Sequence, residues 1–60
     1  MWKLTKEQTP AEGVLVETKV QDASGTRNIQ KLFYRKNLWW NEDGKTYVYY
    51  TPTHWRGIQP

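Results

Sequence analysis

The sequence predicts an all-β or mainly β fold: a small twisted antiparallel sheet, or a partly open barrel, of about four strands with an irregular amino-terminal segment. Three observations carry that expectation. Val14 to Val20 alternates with period two, placing Val14, Val16, Thr18 and Val20 on one face and Leu15, Glu17 and Lys19 on the other. Two aromatic bursts, Leu38-Trp39-Trp40 and Tyr47-Val48-Tyr49-Tyr50, flank Asn41-Glu42-Asp43-Gly44-Lys45, which reads as strand, tight turn and returning strand with Asp43-Gly44 in the positive-φ positions. No heptad or long amphipathic helical pattern competes. Sixty residues define one small domain, residues 1–60, with room for a single core. Cysteine is absent, so the nine aromatic rings must replace the disulfides that usually staple so short a chain.

In chain order, Trp2 and Leu4 open with alternating spacing. Thr5 and Gln8 stand at capping-box separation for a short helical turn, which Pro10 prevents from continuing. Pro10-Ala11-Glu12-Gly13 forms a turn into the first long strand. Gln21 to Thr26 has the composition of a loop between antiparallel strands. Arg27 to Lys36 fits a strand that groups Arg27, Ile29, Lys31, Phe33 and Arg35 against Asn28, Gln30, Leu32, Tyr34 and Lys36. It also fits a helix aligning Ile29, Leu32, Phe33 and Lys36. The strand is favoured, because both flanking hairpins need a third partner to form a stable sheet. Lys36-Asn37 turns into Leu38. After Tyr50, Pro52 ends ladder pairing because it has no N–H, and Thr53 to Ile58 closes one end of the sheet.

Composition excludes several functions. One histidine, no cysteine and six scattered acids give no metal set and no paired carboxylates, so an enzyme, a metal site and a cofactor are not expected. A chain of this length is not expected to build a ligand pocket of roughly 300 to 1,000 Å³. His54 is read as structural and hydrogen-bonded near the chain end, with a base or ligand role as the alternative. The glycines fall one per turn, without a phosphate-cradling cluster. No signal peptide or membrane span is recognised, which suggests the cytoplasm.

Four places carry a likeness to a known family: Trp2, the Pro10-Ala11-Glu12-Gly13 turn leading into Val14-Leu15-Val16, the Leu38-Trp39-Trp40 burst before an acidic turn, and Thr53-His54-Trp55. Together they resemble the short phage and prophage proteins of the domain-of-unknown-function family five-five-one. Members usually continue after His-Trp with an apolar residue and prolines, whereas this chain has Arg56-Gly57-Ile58-Gln59-Pro60. The resemblance implies a compact β-rich fold and a phage or prophage origin, hence a host-cell cytoplasm. The family has no established activity, so no functional residue is transferred.

The residues themselves point to binding. Arg27, Ile29, Lys31, Phe33 and Arg35 interleave cations with an aromatic on one strand face. That pattern fits an acidic protein surface, a nucleic acid whose bases stack on rings, or a solvated edge strand protected by charge. The net charge of +3 favours acidic partners mildly. Aromatics fall on both faces of the predicted hairpin, so one cluster should remain for a partner, with Trp and Tyr as anchors. The candidate contacts are therefore Arg27, Lys31, Phe33, Arg35, Trp39, Trp40, Tyr49, Tyr50 and Arg56. The first function expected is a phage accessory protein that binds and modulates or inhibits a host protein with an acidic surface. The second is a small nucleic-acid-binding module, and a homodimer that pairs the aromatics is the bland alternative.

Overall fold

Alternating side chains and turn-forming pairs build five strands: β1 Lys3–Leu4, β2 Leu15–Asp22, β3 Gly25–Arg35, β4 Leu38–Asn41 and β5 His54–Gly57. They form one open antiparallel sheet in the order β1-β5-β2-β3-β4. This computed structural model describes residues 1–58. The last two positions of the run in which the chain departs from the resembled family, Gln59 and Pro60, lie outside the described residues. Against the four or so strands expected, the Tyr47–Tyr50 return arm is not a strand, while Lys3–Leu4 in the amino-terminal segment and His54–Gly57 in the closing segment are, the latter paired between β1 and β2; the sheet is open and does not close into a barrel.

Arg27 to Arg35 is strand, as the pairing argument requires. The polar stretch Gln21 to Thr26 is shorter as a loop than its composition suggests. Asp22 already pairs with Gly25, because the Asp22 carboxylate accepts the Ser24 N–H at 2.8 Å and Gly25 takes a φ of 115°, so only Ala23 and Ser24 leave the ladder. At the other end of β3, Lys36 and Asn37 have φ of 53° and 65°, the two left-handed positions of a type I′ turn.

Register breaks once. Thr18 faces Gln30 but Val20 faces Arg27, so two steps on β2 span three on β3. The extra residue is a bulge, and Asn28 adopts a φ of 56° there, a conformation its short polar side chain tolerates. One added residue reverses the alternation: Arg27 shares a face with Val20 and Leu32, not with Lys31, Phe33 and Arg35.

The aromatic hairpin is half of what the sequence suggests. Its first arm is β4 and its turn closes through Gly44 N–H to Asn41 O at 2.9 Å, but only Gly44, at 73°, has positive φ. The returning arm pairs through a lone Trp40–Tyr47 bridge and a Val48 N–H to Trp39 O bond of 2.9 Å. It then departs, because the chain must cross β3 and β2 to reach β5.

That crossing and the link from β1 to β2 cover the same side of the sheet. Beneath them lies the core: Val16, Leu32, Trp39 and Trp55, with Thr18 and Pro52. The Trp55 indole N–H donates to Gln8 O at 2.7 Å, and Pro10 is buried as well. The short turn after β1 is present, with Glu7 and Gln8 N–H donating to Leu4 O. Its capping box does not form, and the Thr5 hydroxyl is buried without a partner among the described residues. Among the described residues no helix is long and apolar enough to cross a membrane.

Candidate functional site: the open face of the sheet

Because both long connections cross the core face, the opposite face carries no covering segment among the described residues. Cross-strand pairing assembles it row by row. Arg56, Glu17 and Lys31 stand in one row and Leu15, Phe33 and Trp40 in the next. Arg35 follows opposite Leu38, and Tyr47 joins through its bridge to Trp40.

Charge on this face is one-sided. It holds Lys19, Lys31, Arg35 and Arg56 against the single acid Glu17, a surplus of three that equals the net charge of the whole chain. The remaining five cations and five acids cancel. Glu17 is itself engaged, accepting the Arg56 Nε–H at 2.7 Å.

The rings on this face are occupied by cations. Lys19 Nζ and the Arg56 guanidinium lie 4.4 and 4.3 Å from the Trp2 ring centroid. The Arg35 guanidinium lies 4.5 Å from Trp40 and 5.4 Å from Phe33, and its Nε is buried without a hydrogen-bond partner. Each such pair holds the cation over the ring quadrupole, and of these cations Arg56 also meets the Glu17 carboxylate. Tyr47 continues the cluster, edge-on to Trp40 at 5.3 Å and to Tyr49 at 5.5 Å. Tyr49 is 95% exposed.

Of the residues the sequence singled out, the structure gathers Lys31, Phe33, Arg35, Trp40 and Arg56 here, with Tyr49 at the rim. Arg27 is turned away by the bulge and donates to both Asp22 oxygens at 3.1 and 3.0 Å. That contact, ahead of the Ser24 N–H, holds the Asp22 carboxyl below its ordinary value and raises Arg27. Trp39 is 4% exposed in the core, tilted against Tyr34 at 5.2 Å. Tyr50 sits on the crossing segment, its hydroxyl against Gln30 Nε2. Sequence reasoning missed Lys19, Trp2 and Tyr47. Lys19 was visible on the polar face of β2, but nothing local places Trp2 opposite the segment that follows it.

Contrary to the expectation from chain length, the core side has a groove of about 560 Å³, lined in part by Thr5, Thr9, Gln21, Asn37, Thr53 and His54. No carboxylate lines it, and His54 Nδ1 is engaged with Thr53 Oγ1 at 2.7 Å. Among the described residues no group of three or more His, Asp or Glu side chains is placed to hold a metal ion. Comparison with known proteins returns no matching family model, no matching curated protein and no matching solved structure. The likeness to family five-five-one therefore rests on the quoted motifs alone.

Proposed function

We propose that this protein is a binding module that docks its open sheet face onto an acidic surface of another protein. The observation that carries the reading is the location of the chain's whole charge surplus on the one face left uncovered, among aromatic anchors. Such charge steers encounter, and the rings provide buried area once contact is made. Pairing of two copies through this face is disfavoured, since it would oppose two like-charged surfaces. A nucleic-acid platform needs free ring faces for base stacking. Here guanidinium and ammonium groups lie over Trp2, Phe33 and Trp40, an arrangement that presents point charge to carboxylates. The motif likeness extends the reading to a phage-encoded modulator of a host protein.

The test is capture from a bacterial lysate at low and high salt, compared with binding to single-stranded DNA, RNA and duplex. Docking predicts an enriched acidic protein, released by salt, lost with Lys31→Gln and kept with Lys6→Gln on the far side. Equal loss with both variants, or tighter salt-sensitive binding to nucleic acid, overturns it.

A further inference from the structure

Where β4 meets its broken return arm, the open face ends in an aromatic ladder. Trp40, Tyr47 and Tyr49 stand edge to face at successive centroid distances of 5.3 and 5.5 Å. Beyond Val48 the return arm parts from β4 and opens a cleft of about 200 Å³ lined by Leu38, Tyr47, Tyr49 and Tyr50. That is below the roughly 300 to 1,000 Å³ of a small-molecule site and suits one ring-sized side chain. Tyr47 and Leu38 are 39% and 36% exposed, so the cleft walls are accessible.

We infer that the partner segment received on this face is an extended, proline-containing acidic peptide in polyproline II conformation, with prolines against the Tyr47–Tyr49 end of the ladder and carboxylates toward Arg35 and Lys31. This deepens the acidic-docking reading and rests on it. Two further features select that occupant. The outer edge of β4 is already bonded, through Val48 N–H to Trp39 O and Asn41 N–H to Thr46 O, so an incoming strand gains no ladder there. A polyproline II segment needs none, because its backbone stays solvated. Its alternate residues lie roughly 6 Å apart at about 3.1 Å per residue, close to the ring spacing. Arg35, stacked on the Trp40 end of the ladder, makes no ion pair among the described residues, which selects acidic flanks.

Titration of the whole chain with synthetic peptides about twelve residues long, followed by tryptophan fluorescence, tests this. Alternating Glu-Pro is expected to bind at least about tenfold tighter than alternating Glu-Ser of equal charge, and Tyr49→Ala should abolish the preference. Tyr49 is almost fully exposed, so that variant folds. Equal binding of Glu-Pro and Glu-Ser overturns the proline inference while leaving acidic docking intact. Equal binding of Glu-Pro and neutral Ser-Pro overturns the acidic reading beneath it, and binding of none of the peptides overturns the inference.

Discussion

Arg35 and Trp40 hold each other twice: the Arg35 guanidinium lies 4.5 Å from the Trp40 ring centroid, and the Trp40 indole N–H donates to the Arg35 carbonyl at 3.0 Å. One contact uses the arginine side chain and the other its backbone, so substitution separates them. Trp40→Phe keeps an aromatic ring and loses the hydrogen bond, at an expected cost of about 1 kcal/mol. Arg35→Met keeps the hydrogen bond and loses the cation, costing about 0.5 to 1 kcal/mol. Urea denaturation of both variants checks the pair, and a combined loss well below the sum would show that they act as one contact.

Leu32 is fully buried in one core cluster with Val16, Trp39 and Trp55. Leu32→Ala should cost about 2 to 5 kcal/mol, most of the stability available to a domain this small. Circular dichroism at rising temperature should show the variant unfolded or melting far earlier. By contrast Tyr49→Ala, at the exposed rim, should leave the melting temperature unchanged.

Two glycines should respond in opposite directions to alanine. Gly44 has φ of 73°, and an added Cβ would meet Phe33 Cζ at 3.8 Å, an ordinary contact, so Gly44→Ala costs backbone strain alone, about 1 kcal/mol. Gly57 lies in β5 with no positive φ and open space around its Cα. Gly57→Ala should be neutral or stabilise by up to about 1 kcal/mol. Denaturation midpoints that move together would contradict this assignment of the turn.

The β2–β3 hairpin carries a pH dependence. Arg27 and the Ser24 N–H lower the Asp22 carboxyl below its ordinary 3.8. Because the folded-state pKa is the lower one, the stabilisation is present above the ordinary value and is lost as pH falls through the folded value. Both side chains are solvated, so the effect is small and screened by salt. Carbon-detected titration of Asp22 should give a midpoint below that of an unstructured peptide, and Arg27→Ala should raise it.

The strand β2 was legible because alternation over Val16, Thr18 and Val20 has only one buried face to satisfy, whereas β3, whose spacing also suits a helix, was legible only through the need of both hairpins for a third strand. Lys36-Asn37 and Gly44 announced their turns through residue type. The return arm was overread: Tyr47, Tyr49 and Tyr50 suit a strand locally, but after the Tyr47 bridge and the Val48 bond the connection to β5 leads Tyr49 and Tyr50 away from β4. Which face would be roofed was hidden as well, since it depends on where β1 and β5 dock. The same dependence put Trp2 between Lys19 and Arg56, 17 and 54 positions along the chain from it. Asn28 gave no local warning of the bulge, an exposed asparagine in a polar run being unremarkable, yet it decides where Arg27 points.

That decision has a consequence for how such a protein diversifies. Pairing β3 with β2 without the bulge would return Arg27 to the face that holds Lys31 and Arg35, and would reverse Thr26 along with it. A change of register, rather than a change of amino acid, is then enough to redraw the charge pattern offered to a new partner.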